Sequence, residues 1–185
     1  GKTITSFKTA WLASRMPGID KVVFVVDRIA LTRQTNENYQ AYDPDASDDA
    51  LGSVQNTDNT SDLSRKLKSK DNNIIVTSVQ KLERLVNRKS FKAPDKNIVF
   101  IVDEAHRSTG GDSFKAIQKA FKRAAWLGYT GTPMFDETTS GLRTEDIFGE
   151  LLHAYTIREA IADKNVLGFK VDFETTIDEA TMKRD

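Results

Sequence analysis

The sequence predicts an α/β fold, a mostly parallel sheet flanked by helices, and three observations lead there. Four short runs rich in β-branched and apolar residues, Val22–Val26, Ile74–Thr77, Ile98–Val102 and Trp126–Tyr129, read as strands. Each is nearly continuous in apolar residues, the pattern of a strand covered on both faces. Between them lie segments whose apolar residues recur at helical spacing. Strand alternating with helix implies parallel βαβ units with right-handed crossovers.

Taken in order, Thr3 to Ala13 has helical spacing and leads into the first strand. Ile29 to Tyr39 gives a second helix. Tyr42 to Ser61 is rich in Asp, Asn, Ser and Thr and reads as a long loop, with one short strand expected at Leu51–Val54. After Ile74–Thr77, the residues Leu82, Leu85 and Val86 mark a third helix. Phe114, Ile117, Ala120 and Phe121 form an i, i+3, i+6, i+7 stripe and mark a fourth. Pro133 to Arg143 is a second loop. Thr156 with Glu159 three positions later, ahead of Ile157, Ala160 and Ile161, has the form of a capping box. Val166 to Thr176 adds a last strand or begins a connection. The expected division is 1–165 for the main domain and 166–185 for that closing segment.

Composition bounds the function. At 185 residues the chain has the length of one domain, and 38% hydrophobic with 29% charged residues is the balance of a globular protein. No apolar run approaches the roughly 20 residues that a membrane-crossing helix needs. Zero cysteines exclude a disulfide framework and thiolate metal sites, which suits a reducing cytosol, and two histidines leave little for a His-rich metal site. The formal net charge is zero, yet its distribution is uneven. Tyr42 to Asp62 is acidic, whereas Arg65 to Lys96 is basic. That basic stretch is either a solvated face or a phosphate-binding one.

The strongest chemical signal is Asp103-Glu104-Ala105-His106, directly after the strand Ile98–Val102. A strand ending in two acidic residues delivers carboxylates to the carboxyl edge of the sheet, where α/β folds bind ligands. Asp103 there can hold Mg²⁺ while Glu104 faces an attacking water. Gly1-Lys2-Thr3 is the end of a phosphate-binding loop pattern. In that pattern backbone N–H groups cradle phosphates, the Lys reaches the β- and γ-phosphates, and the Thr hydroxyl binds Mg²⁺. A helix beginning at that point adds its positive dipole end. Thr130-Gly131-Thr132-Pro133 follows the strand Trp126–Tyr129 and reads either as a plain turn or as a relay loop whose hydroxyls reach His106.

These residues, in this order, resemble superfamily 2 helicases and translocases. Lys2 and Thr3 match motif I of that family, Asp103 to His106 motif II, and Thr130 to Pro133 motif III. Asp27 to Gln34 resembles motif Ia, and Thr77 to Leu82 resembles motif Ib. Tyr129 to Pro133, the continuation of the acidic box to Ser108, and Phe148-Gly149 followed by Tyr155 to Ile161 are similar to the restriction (R) subunit of type I restriction enzymes.

The resemblance implies a RecA-like P-loop domain, truncated at its N-terminal strand, that uses ATP and Mg²⁺ to pull double-stranded DNA. It assigns Gly1, Lys2, Thr3 and Asp103 to the nucleotide, Thr3 and Asp103 to Mg²⁺, and Asp103 and Glu104 to catalysis. His106, Thr130 and Thr132 would couple nucleotide state to DNA. Arg28, Ser78, Gln80 and Lys81 would grip the phosphate backbone without regard to sequence, although Arg28 could equally cap its own helix. Implied partners are methyltransferase and specificity subunits, together with a second RecA-like domain and a nuclease domain of the same parent chain, in a bacterial or archaeal cytoplasm. With no initiator Met before Gly1, the chain reads as a segment of a longer protein and is expected to be nearly inactive alone. The alternatives are another superfamily 2 DNA helicase or repair or remodelling ATPase, and a non-catalytic nucleic-acid-binding module of the same fold.

Overall fold

In the computed structural model the described residues are 2–26, 37–44, 54–71, 74–103, 112–133 and 143–168. The four apolar runs all become strands, and a short fifth joins them: β1 (Lys21–Val26), β2 (Val54–Asn56), β3 (Ile74–Ser78), β4 (Ile98–Asp103) and β5 (Ala124–Tyr129). They form one sheet in the order β2-β3-β1-β4-β5, and every pairing is parallel. The helices are α1 (Lys2–Ser14), α2 (Thr60–Lys68), α3 (Val79–Val86), α4 (Asp112–Ala120), α5 (Thr144–Phe148) and α6 (Ile157–Ala162). A further helical stretch covers 37–42.

The period-two alternation of each strand divides the core into two layers. On one face Val23, Val25, Ile75, Phe100 and Val102 meet Leu63 and Leu67 of α2, Leu82 and Leu85 of α3, and Phe114 and Ile117 of α4. On the other, Val22, Phe24, Val26, Ile74, Val76 and Ile101 meet Phe7, Ala10 and Ala13 of α1, with Tyr39. Both faces of β1, β3 and β4 are therefore covered, which is why these strands are apolar at nearly every position.

β5 departs from that expectation. It lies at the margin of the described sheet and is partly exposed along its length. What holds it is aromatic: Trp126 stacks on Phe100 at 4.2 Å, nearly parallel at 6°, and Phe114 meets Trp126 edge-on at 5.2 Å.

The described end of the segment expected to be one long loop is more ordered than its composition suggests. The short strand is described at Val54–Asn56 and meets the expected Leu51–Val54 at Val54, while 51–53 lie outside the described residues. α2 begins at Thr60, inside the expected loop, because the Asn59 side chain caps it by accepting from the N–H groups of Ser61 and Asp62. Only Leu63 and Leu67, four apart, face the core, too few apolar positions to declare a helix. At its far end Lys21, buried at the start of β1, donates to the Ser69 hydroxyl at 2.9 Å and to the Asp71 carbonyl. Lys96 donates to the carbonyls of Lys68 and Ser69. Lys96 thus satisfies carbonyls that the helix end leaves open, and Lys21 ties the turn after it to β1. Burial, and then the neighbouring Lys96 charge, lower the proton affinity of Lys21.

Asp62 ties the first turn of α2 to its last. Burial alone would raise its carboxyl, but hydrogen bonds from Lys66 at 2.8 Å and Arg65 at 2.6 Å, with one from the Asp58 N–H, outweigh that and hold it at about 2. A carboxyl depressed below its unfolded value stabilises the fold fully above about pH 4, and that contribution disappears as the pH falls through the folded value. Arg65 is 77% exposed, so solvent screens much of the interaction. Asp62→Asn is accordingly expected to cost about 1 kcal/mol at pH 7. It should also flatten the loss of stability between pH 4 and pH 2. Urea melts at three pH values would check this, and an unchanged acid slope in the variant would contradict it.

Contacts divide the chain into Gly1–Glu150 and Leu151–Asp185. In the second unit the expected capping box is present: the Thr156 hydroxyl accepts from the Glu159 N–H, and the Glu159 carboxylate accepts from the Thr156 N–H at 2.5 Å. The expected last strand or connection over 166–185 falls almost wholly outside the described residues.

Candidate functional site

Topology locates the site before any motif does. From β1 the chain crosses to β2 at one margin, returns inward to β3, and then passes over β1 to β4 and on to β5. The connection leaving β1 runs toward β2 and the one leaving β4 toward β5, so their directions diverge between β1 and β4. Loops leaving neighbouring strands in opposite directions open a crevice at the carboxyl edge there, where such sheets bind ligands. Asp103 is the last residue of β4, at that rim, in register with Tyr129 at the end of β5.

α1 comes to the same rim. Its carboxyl end leads to the amino edge of the sheet, where the Asp20 N–H donates to the Asn97 carbonyl at 2.9 Å before β1 begins. Its amino end therefore lies at the carboxyl edge, and one distance fixes where: the Lys2 Nζ is 3.5 Å from the point that a Cβ on Gly131 would occupy. The Lys2 ammonium thus lies against the turn that follows β5. Within that turn the Thr130 hydroxyl accepts from the Thr132 N–H at 3.1 Å, so Thr130 braces the backbone next to Lys2.

The structure brings together the helix start bearing Lys2 and Thr3, the strand end bearing Asp103, and the turn of Thr130 to Pro133. Gly1, Arg28, Glu104 and His106 lie outside the described residues. The donor set suits a magnesium–triphosphate: an ammonium for phosphate oxygens, a hydroxyl and a carboxylate as hard oxygen ligands, and a helix amino terminus for negative charge. Among the described residues no three His, Cys, Asp or Glu side chains gather into a metal cluster. Mg²⁺ binds through one or two protein ligands plus phosphates in sites of this kind, so such a cluster is not required.

Two tyrosine hydroxyls, to which the sequence motifs assign no role, stand behind this rim. The Tyr129 hydroxyl is 2.7 Å from Thr9 Oγ1, and the Tyr39 hydroxyl is 2.8 Å from Ser6 Oγ. Burial first, then the Asp103 carboxylate and Tyr129, drive the Tyr39 phenol far above its ordinary range. Ser6 and Thr9 follow Lys2 at i+4 and i+7, the spacing of one helix face. That periodicity was the only signal in the sequence that pointed to them.

The residues expected to contact DNA at the end of β3 have other partners. Ser78 is fully buried, and its hydroxyl caps α3 by accepting from the Lys81 N–H. The Lys81 ammonium donates to the Thr57 carbonyl, linking α3 to the end of β2. Its proton affinity is lowered by burial and by Lys66, against the opposite pull of Asp58 and Asp62. Gln80 lies half-buried between them.

Comparison with known proteins adds three findings. The family model described as SWI2/SNF2 ATPase matches residues 1–185. The endonuclease subunit of type I restriction enzyme SauMSSORF170P from Staphylococcus aureus (strain MSSA476) is 42% identical over 188 residues, an alignment covering 99% of this chain and 20% of that protein. In fold the chain is similar to a nuclease-deletion mutant of the Type ISP restriction-modification enzyme LlaGI, solved with a DNA substrate mimic, at TM-score 0.60, 19% identity and 89% coverage of this chain against 18% of that one. It is also similar to the Pyrococcus furiosus Hef helicase domain, at TM-score 0.59, 19% identity, and 83% and 31% coverage. The chain spans about a fifth of the length of the restriction subunit it matches.

Proposed function

The chain belongs to the SWI2/SNF2 ATPase family, and from that premise we propose that it is the first motor lobe of an ATP-driven translocase of double-stranded DNA, within a type I restriction subunit. The observation that carries this reading is the approach of the Lys2 ammonium to Gly131. It supports the reading because the helix start bearing Lys2 then neighbours the turn after β5, whose Tyr129 is in register with Asp103 at the end of β4.

In this reading Gly1 and the first turn of α1 face the phosphates, and Lys2 neutralises the β- and γ-phosphate oxygens. The Thr3 hydroxyl and the Asp103 carboxylate would hold Mg²⁺. When bound, that ion offsets charge on the phosphates as it develops. Glu104 orients the water for in-line attack. Thr130 keeps the turn after β5 in one shape, and Thr132 and His106 report the nucleotide state from there. DNA is gripped at the ends of β1 and β3, by Arg28 and by the corner of Ser78, Gln80 and Lys81. With the Ser78 hydroxyl used as a cap and Lys81 bound to a carbonyl, that corner contributes backbone N–H groups and a rigid shape. Such contacts are indifferent to base sequence.

The partners follow from the similarity to type I restriction subunits. They are a second RecA-like lobe and a nuclease domain on the parent chain, with methyltransferase and specificity subunits around it, in a bacterial or archaeal cytoplasm.

The test is ATP hydrolysis by the full-length protein with and without linear duplex DNA. A translocase should be stimulated by about tenfold or more, and the stimulation should weaken with salt because the grip is on phosphates. Hydrolysis indifferent to duplex DNA at every salt concentration would rule out the motor.

A further inference from the structure

One face of α1 carries Lys2, Ser6 and Thr9 in line. Below Lys2, two hydroxyls on that face each meet a tyrosine from a distant part of the chain: Ser6 meets Tyr39, 33 residues away, and Thr9 meets Tyr129, 120 residues away. Counting protons fixes the direction of both bonds. The Ser6 hydroxyl donates to the Thr3 carbonyl at 3.0 Å, and the Thr9 hydroxyl donates to the Thr5 carbonyl at 3.0 Å. A hydroxyl has a single proton, so in each pair the tyrosine is the donor. Two relays of the same sense result. Tyr39 donates to Ser6 and Ser6 to the Thr3 carbonyl; Tyr129 donates to Thr9 and Thr9 to the Thr5 carbonyl. Both end on the backbone at the start of α1, which presents Lys2 and Thr3.

The far ends of the relays matter as much. Tyr129 is the last residue of β5 and immediately precedes Thr130. It is also in register with Asp103. Tyr39 lies in the helical stretch 37–42, which follows the Asp27–Gln34 block. Its ring is fixed between Phe7, edge-on at 5.0 Å, and Phe24 at 4.6 Å, so its hydroxyl has one place to point. Deep burial keeps that phenol neutral, and so a donor, at any working pH.

We infer that Tyr39 and Tyr129 are positioning residues that join the phosphate-facing start of α1 to the segment after β1 and to the turn after β5, and that they set how strongly DNA stimulates hydrolysis. This rests on the motor reading above. Each tyrosine ties α1 to a second element, and such a two-ended contact biases one arrangement over another.

Phenylalanine at either position keeps the ring and its packing, and it leaves the Ser6 and Thr9 protons on their own carbonyls. Only the inter-element bond is lost, so the variants should fold. In the full-length protein, Tyr39→Phe, Tyr129→Phe and Thr9→Val should leave KM for ATP and turnover without DNA within about twofold. The DNA-stimulated kcat should fall about tenfold, inside the range typical of coupling between sites. Tyr129→Phe combined with Thr9→Val should be no worse than Thr9→Val alone, since both remove the Tyr129–Thr9 bond. Thr9→Ser, which keeps the hydroxyl, should retain full stimulation.

Unchanged stimulation in the Phe variants would overturn the relay while leaving the motor intact. Basal and stimulated turnover falling in parallel with Tm would overturn it too, leaving a purely structural role. Failure of the motor reading is recognised separately, because the unaltered protein would then show no DNA stimulation.

Discussion

Lys2→Ala in the full-length protein is expected to lower ATP turnover by about 10²–10³-fold, the usual consequence of removing one preorganised charge from developing transition-state charge. The effect should lie in function and leave the fold alone. Lys2 is exposed at the first position of α1 and contributes nothing to the core, and exposed substitutions of this kind usually change stability by no more than about 0.5 kcal/mol. Ground-state affinity for ATP should also weaken, because the ammonium meets phosphate oxygens before as well as during the reaction.

Lys2→Arg separates charge from shape. The ammonium is a compact point charge lying 3.5 Å from the Cβ position of Gly131. A guanidinium is planar and broader, with its donors in a fixed fork. Arginine is therefore expected to restore binding better than turnover. Turnover of Lys2→Ala within a few-fold of the unaltered protein, with Tm unchanged, would remove Lys2 from the phosphate site.

The fold was legible in the sequence where burial is uniform. Val22–Val26, Ile74–Thr77 and Ile98–Val102 are covered on both faces, and their continuous apolar character reports that directly. Trp126–Tyr129 reads the same way yet lies at the margin of the described sheet, because an aromatic stack can hold a strand as well as two-sided burial can. α2 was missed for the opposite reason. Its existence depends on the Asn59 cap and two leucines, within a stretch whose Asp, Asn and Ser content elsewhere means loop.

The site shows the same division. Lys2, Asp103 and the turn after β5 stand out in the sequence because the chemistry proposed for them demands particular residue types at the ends of particular elements. Ser78 shows the limit of that logic. Its motif marks it for nucleic acid, while its hydroxyl caps a helix, and the usual capping signal is absent because Lys81 stands where Glu or Gln would complete the box. The pairings of Tyr39 and Tyr129 were out of reach altogether, since each depends on a partner far away along the chain.

Glu104→Gln is the substitution that most sharply separates a working motor from a binding module of the same fold. Glu104 follows Asp103, the last residue of β4, so the chain leaves the sheet at the rim where the Lys2 end of α1 also lies. The two carboxylates are proposed for different tasks, and the substitution tells them apart. Glutamine keeps the size and hydrogen-bonding reach of glutamate but cannot take a proton or polarise water as an anion. A residue that orients and activates the attacking water typically contributes about 10²–10⁴-fold, so kcat should fall by that order. Affinity for ATP with Mg²⁺ should stay near that of the unaltered protein, because Lys2, Thr3 and Asp103 remain. Asp103→Asn should behave differently and lose Mg²⁺-dependent binding along with turnover, since it removes an ionic ligand. If Glu104→Gln hydrolyses ATP as the unaltered protein does, the water is activated elsewhere. If the unaltered protein binds nucleotide and DNA without turnover, the fold serves as a switchable clamp, and the intact Lys2, Thr3, Asp103 and Glu104 set needs another explanation.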